Sequence, residues 1–301
     1  MSVLVHVGNA VVDVVLRVEA LPSPGGDAFA EPVGEFAGGG FNVMAAASRQ
    51  GMRVVYGGAH GVGPRGDLVR AAMRAEGVGL LQEPGASCDT GYSLALVTPD
   101  GERTFVSVAG AEALLTGAAL EQVRPGPDDV VYLTGYSLMH PVNTEALAAW
   151  LPGVPESVVV VFDPGPLVAK APARAVESFL TRADWVTVNR DEARVLTGED
   201  DPALAARVLS EGRGAIVRTG ADGCVVATCG GEPVLVAAPV VDAVDLNGAG
   251  DAHTGAFIAA LARGLAPVEA AAWANRAAAW SVTRVGPATC PTLAEMGVRG
   301  G

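Results

Sequence analysis

VVVVF (158–162) and DWVTV (184–188) are apolar runs of strand length in which polar residues do not alternate with apolar ones. A strand with one face in water alternates. One covered by helices on both faces does not. The two runs therefore read as parallel strands inside an α/β layer. VLVHV (3–7), RVVYG (53–57) and DVVYL (129–133) repeat the signature upstream, and AIVRT (215–219) continues it downstream. Between the strands, FNVMAAASRQ (41–50) reads as a helix ended by Gly51, and DLVRAAMRAEG (67–77) as one with an Arg/Glu surface. Asp201-Pro202 has the form of a helix start, an N-cap followed by proline in the first turn. Two helices close the chain, over about 251–263 and 267–284, punctuated by Gly264 and Pro267. The alternation predicts a doubly wound, mostly parallel sheet flanked by helices.

Two stretches break the rhythm. GYSLALVTPDGERTFVSVAG (91–110) holds two strands around Pro99-Asp100-Gly101, a hairpin signal. Residues 13–36 are extended and punctuated by Pro and Gly, with no helical period. Together they predict a small β-sheet lid beside the main sheet. No linker divides the chain, so residues 1–301 are read as one domain.

With 301 residues the chain can bury a sizeable core. Half of it is hydrophobic but only 5% aromatic, so Ala, Val and Leu must supply that core. Twenty basic against 33 acidic residues give a net charge of −13 with no Lys/Arg cluster, which argues against nucleic acid or an anionic membrane as partner. The four cysteines form no CxxC pair and read as reduced thiols of a cytoplasmic protein. MSVLVHVGNAVVD lacks a basic leader, and no uncharged apolar stretch reaches the roughly 18 residues of a membrane span.

Motifs narrow the chemistry. There is no GxxxxGK[ST], GxSxG or HExxH. GVGPRG (61–66), with Glu83 some twenty residues on, fits the dinucleotide fingerprint. It lies on the second βα unit, however, and Pro64 restricts the turn that would wrap a pyrophosphate. AGGGFNV (37–43) brings backbone close to a ligand and offers the Asn42 amide to a polyhydroxy compound. Asp13 follows the first strand, at the carboxyl end where open α/β sheets bind ligands. In DLNGAGDAHTGAF (245–257), a helix starting near Gly250 would aim the amides of residues 248–251 at one point, forming an anion site without lysine. Asp251 at its edge has the chemistry of a general base.

VDLNGAGDAHTGAF resembles the C-terminal signature of the ribokinase-like (PfkB) carbohydrate kinase family. GNAVVDVVLRVEALPSPGG, AGGGFNVMAAASRQG, GYSLALVTPDGERTF, VNRDEARVLTG, VRTGADG and ANRAAAWSVTRVGPATCP resemble its other motifs in the family's order, over nearly the whole chain. The resemblance implies Asp251 as catalytic base and Gly248, Ala249 and Gly250 as anion hole. It implies sugar binding at Asp13, Gly38, Gly39 and Asn42, and an ATP site at Asn189, Gly220, Gly223 and Asn275. Glu192 would organise Mg2+ through water. Asp245, with the Asn247 carbonyl and carbonyls of loop 284–290, would hold a monovalent cation, K+. The implied reaction is ATP-dependent phosphorylation of a hydroxymethyl group on a small sugar.

Several positions depart from the family pattern. Leu246 replaces a threonine at a position expected to tolerate the change. His253 stands where an aromatic is usual and points about 200° away from Asp251 on a helix, which suits packing. Val11, Gly39 and the Gly135/Tyr136 region lack polar groups that ribokinase proper carries, which argues against ribose itself. A nucleoside is the rival acceptor, with Phe29, Phe105 and Tyr136 as candidate platforms. Outside kinases stand a dinucleotide-dependent oxidoreductase built on 61–66 and a non-catalytic sugar-binding protein. The apolar strands of the lid (Leu94, Leu96, Phe105) predict a homodimer.

Overall fold

The computed structural model describes residues 2–85, 87–212 and 214–298; the expected domain limits, residues 1 and 301, lie outside these. In chain order the strands are β1 (Val3–His6), β2 (Ala10–Val18), β3 (Ala30–Gly39), β4 (Arg53–Tyr56), β5 (Gly79–Leu80), β6 (Tyr92–Val97) and β7 (Arg103–Val108). They continue as β8 (Val130–Thr134), β9 (Val159–Asp163), β10 (Trp185–Asn189), β11 (Gly214–Arg218), β12 (Cys224–Thr228) and β13 (Val234–Val236). The helices are α1 (Phe41–Arg49), α2 (Pro64–Ala75), α3 (Gly117–Leu120), α4 (Pro141–Trp150), α5 (Ala173–Arg182), α6 (Arg190–Thr197), α7 (Pro202–Leu209), α8 (Ala249–Ala262) and α9 (Pro267–Ser281).

Nine strands form one sheet in the order β13-β12-β11-β10-β9-β8-β1-β4-β5. From β11 to β5 every pair is parallel. VVVVF shows why the run carries no alternation. Val160 and Phe162 pack into the core on one face, whereas Val161 packs into the core on the other. Each such side chain contributes about 1.5–3 kcal/mol by leaving water, and a polar residue on either face would forfeit that.

The parallel series ends at β11, where the sequence reading had no signal. CVVAT and VLV turn back antiparallel as β12 and β13. Only five residues separate Arg218 from Cys224, too few for the helical crossover that a parallel neighbour needs. Strand order also reverses between β1 and β8, which opens the crevice where α/β sheets bind ligands. Thr134, Asp163, Asn189 and Arg218 are the last residues of β8 to β11, so all four face that crevice end.

The remaining four strands form a separate sheet, β3-β2-β6-β7. Its outer pairs are antiparallel and its central pair, β2 with β6, is parallel. Asp13 lies opposite Phe36 and Ser93, and Ser93 lies opposite Ser107, so these side chains share one face.

α8 buries nine residues over nearly all of its circumference, because it is sandwiched between α1 and α9. Gly255 makes the α1 contact close: a Cβ there would come within 2.6 Å of the Ala46 Cβ and the Val43 carbonyl. Asp201 caps α7 as expected, accepting from the Ala203 and Leu204 amides.

Candidate active site

The α1–α8 contact carries chemistry at its upper end. Asn42, near the start of α1, donates from Nδ2 to Asp251 Oδ2 at 3.0 Å. Gly248 caps α8 in the left-handed region (φ +74°), with no side chain on the helix N-terminus. A Cβ on Gly248 would strike the Pro287 carbonyl. The Ala249 amide donates to the Leu246 carbonyl at 3.3 Å, but the next two amides of α8, those of Gly250 and Asp251, are open to an anion, and the Asp251 carboxylate stands beside them. Burial pushes the Asp251 carboxyl up to about 7; Asp163 and Asp13 add to the rise, while the Asn42 bond and Arg218 oppose it. A carboxyl poised near neutrality is suited to proton transfer.

Under Asp251 lies a cluster that motif reading did not reveal. Arg218 Nη1 donates to Asp163 Oδ2 at 3.2 Å and to Thr254 Oγ1 at 3.0 Å, and also to Thr187 Oγ1. Its Nη2 lies 3.5 Å from Glu192 Oε2. Burial works against its charge, but Asp163 and Glu192 outweigh that and raise its pKa. A methyl added at Gly250 would lie 3.6 Å from Arg218 Nε, so the guanidinium flanks the helix start. The available signal was positional: Asp163 and Arg218 are the first charged residues after buried strand runs.

Glu192 and Asn189 form the capping box of α6. Asn189 Oδ1 accepts from the Glu192 amide and Glu192 Oε2 from the Asn189 amide, each at 2.8 Å. Burial and Asp163 raise the Glu192 pKa. With Asp163, this gives two carboxylates at the crevice, a donor set that suits Mg2+ held by few protein oxygens plus phosphate and water. Gly220 (φ +70°) is open to solvent, and Gly223 (φ +107°) lies against the Val236 carbonyl. Asn275 is buried, and its Nδ2 donates to the Val236 carbonyl at 2.8 Å. It thus secures the wall next to the turn at 220–223, with this amide nitrogen committed to backbone.

On the opposite side, Asp13 fits against Gly38, where any Cβ would collide with the carboxylate. Burial pushes Asp13 up to about 6. Gly39 is left-handed (φ +61°) and close to Asn9. Asn9 is a further polar residue that the motifs did not single out; its Oδ1 and that of Asn42 are buried without a partner among the described residues. Such atoms are costly unless a ligand meets them, and Asn9 stands two residues before the apolar Val11. His6 lies beneath this loop, neutral because burial lowers its pKa to about 3. Its Nδ1 accepts from the Gly8 amide, and a Cβ on Gly40 would overlap its Nε2. Tyr136 is partly exposed, with Asp251 and Asp13 among the charges that act on it.

His253 is buried and neutral, its pKa lowered to about 3 by burial and by Arg218. Leu246 is exposed at the loop surface. Asp245 Oδ1 accepts from the Asn247 amide and from Arg103 Nη2 of β7, at 2.8 and 2.5 Å; Oδ2 accepts from the Gly286 amide at 3.1 Å.

GVGPRG is already filled. Asp89 accepts from the Arg65 and Gly66 amides at the N-terminus of α2, at 3.1 and 2.8 Å. Burial alone would raise the Asp89 pKa, but bonds from the Gly66, Arg65 and Thr90 amides outweigh it and lower the value. A side-chain carboxylate thus stands where a pyrophosphate would have to bind.

The open helix start, its carboxylate and the glycine-lined acceptor side, at the switch point of this sheet, define a phosphotransferase. Residues 1–293 match the sequence pattern of the pfkB family carbohydrate kinases. The chain belongs to that family and is a carbohydrate kinase. It is 32% identical over 304 residues to an uncharacterized sugar kinase of Escherichia coli, covering 98% of this chain and 92% of that one. The ribokinase of Thermotoga maritima superposes with a TM-score of 0.82 at 26% identity, covering 99% and 98% of the two chains. A putative ribokinase II of E. coli, in complex with ATP and Mg2+, gives 0.83 at 23% identity over 99% and 98%. No helix among the described residues is long and apolar enough to cross a membrane.

Proposed function

We propose that the chain transfers the γ-phosphoryl of ATP to a hydroxymethyl group of a small sugar or sugar derivative, with Asp251 as general base. The observation that carries this is the uncapped start of α8 beside a carboxylate oriented by Asn42. Bound MgATP supplies the electrophilic phosphoryl group. Gly220, Gly223 and Asn189 line its side of the crevice, and Asp163 and Glu192 would hold its Mg2+. Asp251 takes the proton from the acceptor hydroxyl, and the amides of residues 248–251 hold the charge that develops on the phosphoryl oxygens. Asn9, Asp13 and Asn42 orient the acceptor. The complex of the E. coli neighbour with ATP and Mg2+ supports this nucleotide and metal.

The small sheet, from about 13–36 and 91–110, serves as a lid that excludes water. Phe105, Val106 and Val108 are exposed on β7, which supports pairing of lids in a cytoplasmic homodimer. A nucleoside acceptor is the second reading, because Phe36 and Phe105 share the lid face of Asp13. Asp163, Glu192 and Arg218 belong to the nucleotide side in either case.

An ATP-consumption screen over pentoses, hexoses, keto-deoxy acids and nucleosides tests the proposal. Turnover with a sugar is expected. Turnover with nucleosides alone would transfer the assignment to the second reading, and turnover with neither would remove it.

A further inference from the structure

The resemblance to the family places a monovalent cation at Asp245, the Asn247 carbonyl and the carbonyls of loop 284–290. The residues here do not fit one. Both Asp245 oxygens are engaged, Oδ1 by Arg103 Nη2 and the Asn247 amide, Oδ2 by the Gly286 amide. Two of the loop carbonyls are engaged as well: Arg49 Nη1 donates to Ala288 and Cys290, at 2.6 and 3.1 Å. Arg49 is itself fixed by Glu76, at 2.9 Å from Nε and 2.5 Å from Nη2. Guanidinium groups therefore take Asp245 Oδ1 and two of the loop carbonyls, leaving a potassium ion without the charged oxygen that its site would be built on.

We propose that Arg103 acts as a built-in cation for this site, replacing a monovalent metal activator, and that the lid delivers it. Arg103 opens β7, two residues past the hairpin turn at Thr98–Gly101, and it pairs with Val97. Its partner Asp245 lies three residues before Gly248, whose left-handed turn rests on Pro287 in the same loop. The ion pair is largely shielded, with 22% and 11% of the two side chains exposed. Closing the small sheet thus neutralises Asp245 and tightens the segment that presents the α8 amides. Opening it withdraws the cation. Arg103 is a positioning residue: it reaches the anion hole only through Asp245 and the adjoining turn. The inference rests on reading residues 248–251 as that anion hole.

The test compares wild type with Arg103→Ala in potassium-free buffer, in KCl and with millimolar guanidinium. Wild-type turnover is expected to be the same with and without potassium. Arg103→Ala should lose about 10- to 100-fold in kcat, the worth of a bond to a charged group. Potassium or guanidinium should restore much of it, and Arg103→Lys should retain more than Arg103→Ala. Activation of wild type by potassium beyond about fivefold, the lower range of effector coupling, would overturn the proposal. So would full activity of Arg103→Ala without potassium, or a loss that neither cation rescues.

Thermal melting supplies an arm that needs no substrate. Potassium should raise the melting temperature of Arg103→Ala and leave wild type unchanged; the reverse pattern overturns the assignment. If wild type phosphorylated no acceptor, the proposed activity would fall, and melting would still decide the role of Arg103.

Discussion

Two of the chain's glycine-rich helix starts, those of α2 and α8, have opposite fates. At α2, GVGPRG leads into a helix whose amides are taken by Asp89 from within the protein. At α8, GAGD leads into a helix that no side chain caps, with Asp251 set beside the opening. Both patterns read alike as strings of glycine and one charge. The difference lies in occupancy: a start filled by its own carboxylate is structural, and one left open with a perturbed acid nearby is available for a ligand.

The sharpest way to break that comparison is Asp251→Asn. The amide can still accept from Asn42, so geometry and acceptor affinity should survive while the base is lost. Turnover is expected to fall about 10²- to 10⁴-fold, measured as kcat with the acceptor that the screen identifies. A fall of less than tenfold would remove Asp251 from the mechanism. Wild-type kcat/KM should also rise with pH through about 7 as Asp251 loses its proton, and Asp251→Asn should lack that limb.

Gly250→Ala probes the open start by volume. A methyl there meets Arg218 only at ordinary contact distance, and alanine is the better helix former by about 1 kcal/mol. The variant should fold with equal or greater stability and still lose roughly 10²-fold in kcat/KM, because the methyl occupies phosphoryl space. At α2 the corresponding change, Gly66→Ala, would drive its Cβ into the Gly61 carbonyl and damage folding first. Wild-type kinetics in Gly250→Ala would contradict the anion-hole assignment.

How much of this was legible beforehand follows from the physics of each signal. Burial on two faces writes itself into VVVVF and DWVTV, so the parallel sheet could be read directly. Strand direction leaves no mark on an apolar run, so the reversal at β12 and β13 could not. Asp251 and Asn42 were recognisable because each sits in a local motif. Asp163 lies in no motif, and Arg218, although inside VRTGADG, showed no role there, since β9 and β11 converge only through the sheet order. Glu192 and Asn189 were legible as a pair, but their capping box emerges only when the hydrogen bonds are traced.

Asp89→Ala tests the filled start. Removing a carboxylate that holds two helix amides should cost about 1–2 kcal/mol and lower the melting temperature by a few degrees. Turnover should stay within about twofold of wild type, since the proposed phosphoryl transfer uses the other helix. A large kinetic defect with unchanged stability would erase the distinction between the two starts.

The finest test uses pH, because the two aspartates carry opposite signs. The pKa of Asp89 is lowered by folding, so its stabilisation is complete above the unfolded carboxyl value of about 4 and lost on acidification. Asp251 is raised to about 7, so its stabilisation is complete below about 4 and is lost as pH climbs through 7. Thermal melts should therefore show Asp251→Asn equal to wild type near pH 4 and more stable above pH 7, by on the order of 5 °C. Asp89→Ala should be less stable than wild type at neutral pH and converge with it in acid. If both differences moved in the same direction with pH, the contrast between a carboxylate fixed by amides and one held out of water would be wrong.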